Sequence, residues 1–271
     1  SAFADTVAAE GDKPAYSDKI GVDGAGWRTQ TWAELADTAR SVAAGLVAYG
    51  VQPGDTVAVM ATNRTEHVLA DLGSLHAGAV PMSIYNTLSP DQVAFVAGQS
   101  RPTVVVVENA DHLARWTSAL ADGGVRKVVV IDESARPEGD RFVSWTELVD
   151  AGAQARRTGD ADQEIDRRIA DIAPDQPATI LYTSGTTGNP KGVVITHHMV
   201  LFENVSSLET ADPQGENIFI SYLPFAHIAE RTLGMYIPWM RGAHIHLIGD
   251  PALLLGALGE VRPTRFFGVP R

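Results

Sequence analysis

Apolar and polar residues alternate along the chain in blocks that predict β-strands separated by amphipathic helices. Residues 103–107 form an unbroken β-branched run, which is typical of a central strand buried on both faces. A Thr-x-x-Glu capping box at Thr31 and Glu34 precedes apolar residues at helical spacing, and Gly50 is a suitable stop for that helix. This repeated alternation predicts an α/β fold with layered, mostly parallel β-sheets and helices on both faces.

The same patterns predict the other elements. Helices are predicted at residues 3–10 and 65–77, after a Ser89-Pro90 cap, and around Leu113, Trp116 and Leu120. Strands are predicted at residues 56–61, 80–84, 125–131, 218–221, 243–248 and 264–269, with an edge segment at 14–16 and a glycine-rich hairpin turn at 21–26.

Residues 150–176 differ from their surroundings because they are rich in Asp, Glu and Arg and only weakly periodic. This composition predicts a solvated connection between two sub-lobes, with room for one helix. We therefore predict an N-terminal α/β sub-lobe at residues 1–172 and a second sub-lobe at residues 173–271.

Composition narrows the class of protein. The 271 residues are 45% hydrophobic, enough for a substantial core, and carry a net charge of −12. An acidic chain disfavours nucleic acid or an anionic membrane surface as the main partner. The chain has no cysteine, which excludes disulfides and thiolate chemistry. It also shows no signal peptide and no run approaching the roughly 18 apolar residues of a membrane span, which together predict a cytoplasmic protein.

Residues 182–192, Y-T-S-G-T-T-G-N-P-K-G, form the stretch richest in candidate chemistry. Three glycines, five hydroxyl-bearing residues and Lys191 fall within these eleven positions. Glycines permit close backbone approach, freed N–H groups can form an anion nest, and hydroxyls and an ammonium add donors. The apolar flanks at residues 178–181 and 193–195 predict short buried strands. The pattern therefore favours a phosphate-binding loop between two strands.

Two other interpretations of this stretch can be compared with the residue types that each would require. A flexible surface turn uses the same residue types, but it does not require a lysine and two strand flanks. In the GxxxxGK[ST] phosphate loop counted from Gly185, Pro190 would stand where a glycine is needed and Gly192 where a hydroxyl is needed. Proline has no N–H and glycine has no hydroxyl for Mg²⁺, so that second interpretation fails.

The stretch T-S-G-T-T-G-x-P-K-G resembles the phosphate loop of the adenylate-forming, or AMP-binding, enzyme superfamily. Residues 221–231, S-Y-L-P-F-A-H-I-A-E-R, and residues 263–271, P-T-R-F-F-G-V-P-R, are similar to its long-chain fatty acyl-CoA synthetase branch. The resemblance implies the fold of an incomplete N-terminal domain of such a synthetase. It implies ATP-dependent ligation of a fatty acid to coenzyme A through an acyl-adenylate.

The resemblance also assigns residues. The β,γ-phosphates of ATP would be bound by Thr183, Ser184, Gly185, Thr186, Thr187, Gly188 and Lys191. Lys191 would neutralise developing charge, and His227 would line the pocket where the acyl carboxylate meets ATP. A solvated surface lysine and a core histidine bonded to backbone are the structural alternatives. Some relatives have an aromatic gate where this chain has Arg231, and Glu230 and Arg231 can instead pair with groups nearby.

The implied cofactors are ATP, Mg²⁺ and coenzyme A, with a protein ligand for Mg²⁺ expected outside this chain. The implied partners are the fatty acid, ATP and coenzyme A. Peripheral membrane contact and the formation of homo-oligomers are left open. No metal site is predicted at His197 and His198, whose side chains diverge, or at His244 and His246, which lack a third ligand.

Relatives of this kind are roughly twice as long, and their adenine, ribose and hinge motifs and mobile C-terminal domain are not found here. Either the chain is a fragment of an enzyme, inactive alone, or it is a shortened relative. A non-catalytic nucleotide- or acyl-binding remnant and another adenylate-forming ligase are the alternatives.

Overall fold

The computed structural model describes residues 1–20, 26–183, 189–210 and 217–268. The chain forms two compact units. The first contains Ser1–Asp37, Thr62–Thr65 and Val200–Arg271, and the second contains Thr38–Ala61 and Glu66–Met199. The predicted boundary at residues 172/173 falls inside the second unit. The two units are defined by contacts between residues and do not test a division along the sequence, so the two sub-lobes stay a prediction.

Helices and strands alternate through most of the described chain, as the pattern predicts. The α-helices are α1 Ala2–Glu10, α2 Trp32–Ala48, α3 Thr65–His76, α4 Pro90–Ser100, α5 Ala110–Arg115, α6 Thr117–Ala121, α7 Trp145–Thr158, α8 Ala161–Ala170, α9 His197–Thr210, α10 Ile228–Arg231, α11 Ile237–Arg241 and α12 Leu254–Val261. The strands are β1 Pro14–Ile20, β2 Gly26–Thr31, β3 Thr56–Met60, β4 Val80–Ser83, β5 Val104–Val107, β6 Lys127–Val130, β7 Phe142–Ser144, β8 Pro177–Thr183, β9 Lys191–Thr196, β10 Ile218–Ser221 and β11 His244–Leu247.

The second unit contains a five-stranded, all-parallel sheet in the order β4-β3-β5-β6-β7. The β-branched run of β5 is its central strand, as predicted, and all four of its residues are buried. Side chains from β3, β5 and β6 pack with α4 and α6 in one apolar cluster that includes Trp116. The predicted helix around Trp116 is broken into α5 and α6 at that residue.

The prediction of a solvated connection with one helix at residues 150–176 is confirmed only in part, because most of these residues are exposed or half-buried but two helices contribute to the region. This region holds the end of α7 and all of α8, and Ile165 and Arg168 are buried. Helix α7 begins with a Ser144–Glu147 capping box that the composition obscured. The acidic and basic residues form ion pairs, such as Arg40 with Asp162, which explains why a packed region has a solvent-like composition.

The first unit contains a mixed sheet in the order β10-β11-β1-β2, in which only β2 runs antiparallel. Strand β1 is therefore an interior strand and not the edge segment expected at residues 14–16. The predicted hairpin joins β1 to β2, although residues 21–25 of its turn lie outside the described part of the chain. The predicted strand at 264–269 is wrong for the residues described, which make only one parallel bridge, Arg265 to Phe219.

The capping predictions are confirmed in detail. Thr31 N–H donates to Glu34 Oε2 over 2.8 Å, and Glu34 N–H donates to Thr31 Oγ1 over 3.2 Å. Ser89 and Gln92 form the same box at the start of α4, with Pro90 as its first residue. None of the helices described here is both long and apolar enough to cross a membrane.

Candidate active site

The glycine-rich stretch connects β8 to β9, the two strands of a β-hairpin in the second unit. Strands β8 and β9 pair antiparallel, and Thr183 lies directly opposite Lys191 at the end of the pairing next to the connecting loop. Both side chains are exposed. The hairpin therefore presents the Thr183 hydroxyl where the loop begins and the Lys191 ammonium where the loop ends. The other predicted phosphate contacts, at residues 184–188, lie outside the described residues.

Only one of the two predicted flanking strands is buried. Strand β8 is mostly buried, and Thr179 Oγ1 donates to Pro81 O of β4 over 2.9 Å. Strand β9 is exposed: the exposed fractions of Val193 and Val194 are 47% and 50%. The prediction of a buried strand after the loop is wrong because an apolar run alone does not distinguish an inner strand from an outer one.

Tyr182 and Gly192 face each other across the hairpin, and sequence reasoning gave neither a role. A Cβ on Gly192 would lie 3.1 Å from Cζ of Tyr182, so a larger residue there would displace the ring. The Tyr182 side chain is hydrogen-bonded to the Ser100 side chain, and burial raises the pKa of its phenol. The glycine after Lys191 thus allows the tyrosine ring to close over the base of the hairpin.

An open depression of about 590 Å³ lies beside Lys191. Its polar lining includes Gln99, Ser100 and Asn189, and its apolar lining includes Phe95. The combination of one cation, several neutral donors and an open mouth suits part of a polar, anionic ligand such as a nucleotide.

The histidine predicted to meet the acyl carboxylate lies in the first unit. His227 is exposed, follows the turn after β10 and directly precedes α10. Its Nδ1 accepts a hydrogen bond from the Ala229 N–H over 3.2 Å. Because Nδ1 is the acceptor, the neutral ring carries its proton on Nε2, which leaves Nε2–H as a donor. The alternative of a core histidine is therefore excluded by its exposure.

Glu230 and Arg231, which follow on α10, are both buried and bonded within the first unit. The Arg231 side chain has no exposed surface, and its Nε donates to the Tyr236 hydroxyl over 3.0 Å. Residues Thr232–Tyr236 form a π-helical turn that places Tyr236 there. Glu230 is 3% exposed and is hydrogen-bonded to Ser221 and to the backbone of Tyr222 and Leu223. Pairing with nearby groups, given as the alternative for these residues, is thus confirmed.

The two histidines of β11 contact each other and neighbouring side chains of the first unit. His244 and His246 share a face of β11, with ring centroids 4.1 Å apart. His244 Nε2 is 2.8 Å from Ser17 Oγ, and burial lowers the pKa of His246 to about 4. Among the residues described, no group of three or more His, Asp or Glu side chains could hold a metal ion.

Solved structures and curated relatives define the class of protein. The crystal structure of a benzoate CoA ligase from Burkholderia xenovorans LB400 matches 99% of this chain with a TM-score of 0.79 and 25% identity, and the match covers 50% of that ligase. The long-chain-fatty-acid–CoA ligase ACSBG2 of Rattus norvegicus is 31% identical over 99% of this chain and 40% of its own length. The long-chain-fatty-acid–CoA ligase FadD15 of Mycobacterium bovis is 32% identical over 92% of this chain and 40% of its own length.

The fold is the one found in structures of CoA ligases such as this benzoate CoA ligase. The family model described as AMP-binding enzyme matches residues 3–271, and the chain therefore belongs to that family. It spans about two fifths of the length of the two curated relatives named above.

Proposed function

We propose that this chain is part of a ligase that joins a long-chain fatty acid to coenzyme A, using ATP and passing through an acyl-adenylate. The observation that carries the proposal is the similarity over 99% of the chain to a long-chain-fatty-acid–CoA ligase. In the first step a carboxylate oxygen attacks the α-phosphorus of ATP and pyrophosphate leaves. In the second, the thiolate of coenzyme A attacks the acyl carbon and AMP leaves.

The proposed role of Lys191 and Thr183 is to bind the leaving pyrophosphate. Adenylyl transfer needs positioning and neutralisation of charge more than covalent participation by the protein. The exposed ammonium of Lys191 can balance charge that develops on the β-phosphate, and the Thr183 hydroxyl opposite it can donate to a phosphate oxygen. The loop contacts proposed for Ser184, Gly185, Thr186, Thr187 and Gly188 rest on the resemblance alone.

The proposed role of His227 is to hold the acyl carboxylate. Its exposed Nε2–H can donate to one carboxylate oxygen while the Ala229 N–H holds the ring through Nδ1. A neutral donor orients the carboxylate without neutralising the charge that makes it a nucleophile.

Mg²⁺ would enter with ATP and supply charge neutralisation on the phosphates. That its protein ligand lies outside this chain is proposed from the resemblance alone. Coenzyme A is a co-substrate of the second step. Contact with membranes through a lipid substrate and formation of homo-oligomers follow only from the resemblance.

The test uses the full-length protein of which this chain is part. It is incubated with ATP, Mg²⁺, coenzyme A and, separately, hexadecanoate, octanoate and benzoate, and AMP is measured. AMP formation that depends on hexadecanoate supports the proposal. A preference for benzoate would instead favour another adenylate-forming ligase, which the similarity to a benzoate CoA ligase makes the second candidate. No AMP with any acid would favour a non-catalytic remnant.

His227→Ala separates the proposed carboxylate role from ATP binding. We expect the KM for the fatty acid to rise or kcat to fall while the Kd for ATP changes little. The matched control is His198→Ala, which removes an exposed histidine from α9. A collapse of ATP affinity with unchanged acyl kinetics would contradict the assignment.

A further inference from the structure

The turn between β10 and α10, residues 222–227, is held by side chains to which no role has been assigned so far. It ends at His227, which is exposed, whereas Phe225 within it is only 1% exposed. The turn is thus fixed in the core of the first unit through Phe225, while its last residue presents an imidazole at the surface. What fixes the turn therefore determines where the His227 ring points.

Glu230 binds the start of this turn from the helix that follows it. Its buried carboxylate accepts hydrogen bonds from the Ser221 hydroxyl and from the backbone N–H groups of Tyr222 and Leu223. Two consecutive backbone donors on one carboxylate fix the direction of the chain as it leaves the strand. Burial raises the pKa of Glu230 to about 7, against the opposing effect of these three donors.

Asn63 binds the same turn from a distant part of the sequence. Its Nδ2 donates to Ser221 Oγ over 2.9 Å and to Leu223 O over 2.8 Å. Leu223 is therefore held through its N–H by Glu230 and through its carbonyl by Asn63. The segment that carries Asn63 is itself anchored, because Thr65 N–H donates to Asp18 Oδ1 over 2.8 Å.

Close packing leaves the turn no room to shift toward the π-helical segment. A Cβ on Gly234 would lie 2.9 Å from Cε1 of Phe225 and 3.0 Å from Ser221 Oγ. The carbonyl of Gly234 also accepts from the Tyr16 hydroxyl over 2.8 Å, which ties this segment to the sheet. The turn thus packs against Gly234 and is hydrogen-bonded to Glu230 and Asn63.

We propose that Glu230, assisted by Asn63, is a positioning residue that holds residues 222–226 so that the exposed His227 ring faces the acyl carboxylate. The effect on catalysis rests on the proposed function, whereas the effect on the His227 ring does not. Glu230 itself contacts no reacting atom in this scheme. It acts through the backbone of Tyr222 and Leu223, which is why a carboxylate so deeply buried is kept one helical turn from an exposed histidine.

The first test measures position without activity, on the full-length protein. Glu230→Leu removes all three accepted hydrogen bonds, whereas Glu230→Gln keeps a side-chain oxygen that can accept the two backbone N–H groups. We expect faster hydrogen exchange at the Tyr222 and Leu223 amides and shifted imidazole nitrogen signals of His227 in the leucine variant. The glutamine variant should resemble the wild type. The control is Glu203→Leu, which removes an exposed carboxylate from α9.

The second test measures the adenylation half-reaction of the same variants. We expect Glu230→Leu to lower kcat about 10- to 100-fold, with the KM for ATP unchanged, because a small displacement of an orienting group has a cost of this size. Glu230→Gln should stay within about threefold of the wild type, since its amide oxygen still accepts. Asn63→Leu should follow Glu230→Leu in direction.

The outcomes separate the two proposals. If the wild type makes no AMP with any acid, the proposed function fails, and the exchange rates and the His227 signals still decide whether Glu230 holds the turn. Unchanged exchange and unchanged His227 signals in Glu230→Leu overturn the positioning role. A normal kcat in Glu230→Leu beside an active wild type also overturns it.

If Glu230→Leu does not fold, the other two variants decide. A loss of kcat in Asn63→Leu together with a wild-type kcat in Glu230→Gln supports the role, and wild-type kinetics in Asn63→Leu contradict it.

Discussion

At the scale of single residues, Lys191 and Glu230 show how environment separates two ionisable side chains. Lys191 lies exposed at the end of a hairpin, where water screens its charge until a ligand displaces that water. Glu230 is 3% exposed, so every change in its charge is felt by its neighbours. The first is suited to binding an external anion and the second to holding the protein's own backbone.

Replacing Lys191 should weaken the first half-reaction specifically. We expect Lys191→Ala to reduce adenylate formation by about 1–3 kcal/mol, the cost of losing a charge-assisted hydrogen bond. Coenzyme A thioester formation from synthetic acyl-adenylate should change little, because pyrophosphate has already left. Both steps are measured by AMP and pyrophosphate release, with Lys13→Ala, an exposed lysine of the first unit, as control. Equal loss in both steps would show a structural role for Lys191.

Glu230 should make the protein less stable as the pH rises. Its folded-state pKa of about 7 lies above the ordinary value of 4.5, so its stabilising effect is complete below pH 4.5 and is lost as the pH rises through 7. Between pH 5 and 8.5 the wild type should lose about 2–3 kcal/mol more of its free energy of unfolding than Glu230→Gln. Urea unfolding at both pH values measures this difference. Parallel pH dependence in the two proteins would contradict it.

At the scale of elements, a close contact between α2 and α7 explains why an apparently solvent-like region is packed. A Cβ on Gly152 of α7 would lie 1.7 Å from the carbonyl oxygen of Ser41 on α2. A Cβ on Gly45 of α2 would lie 2.4 Å from the carbonyl oxygen of Leu148. Two glycines thus let the helix backbones approach each other, a feature that hydrophobic periodicity cannot reveal.

The α2–α7 contact predicts a large effect from one methyl group. Gly152→Ala should lower the free energy of unfolding by about 2–4 kcal/mol, because backbone and not a flexible side chain occupies the space. The control is Gly98→Ala in α4, where nothing lies within 4 Å of the added Cβ. That change should be neutral or stabilise by up to about 1 kcal/mol through helix propensity. Thermal melting compares the two variants, and similar melting temperatures would contradict the packing argument.

At the scale of the whole molecule, the described surface carries many exposed apolar side chains. Those with exposed fractions of 39% or more are Ile20, Val193, Val194, Met199, Leu201, Phe202, Val205, Ile228, Leu255, Phe266 and Phe267. Six of them lie close together in sequence on β9 and α9, and contiguous apolar patches are typical of surfaces that contact other protein. Because the chain spans about two fifths of its curated relatives, the behaviour of residues 1–271 alone can differ from that of a longer protein.

A polypeptide confined to residues 1–271 is expected to form no acyl-CoA and to self-associate. In the proposed function the loop at residues 183–191 would bind only the leaving group, so the reacting carboxylate and α-phosphate would lack most of the groups that orient them. The test combines AMP release, with ATP, Mg²⁺, coenzyme A and fatty acids, and light scattering over a range of protein concentrations. Steady AMP production that depends on fatty acid would contradict the first expectation, and a monomer at all concentrations the second.

Local sequence patterns were enough to predict the type of fold and the family, and both predictions are confirmed. These patterns are local: the valine run of β5, the capping boxes at Thr31 and Ser89 and the motif at residues 182–192. A local pattern can be recognised without knowing which distant segments it contacts. The resemblance also singled out Lys191 and His227 as candidate site residues, because each lies within a motif that the family shares.

Features that depend on residues far apart in the chain could not be predicted from local patterns. The structure showed that β1 is an interior strand, that β9 is exposed and that α7 and α8 bury Gly152, Ile165 and Arg168. It also brought Asn63 to the turn that Glu230 holds, across 160 positions of sequence between Asn63 and Leu223. Burial and hydrogen bonding are set by which segments meet, and the same side chain is solvated or essential according to what the fold places beside it.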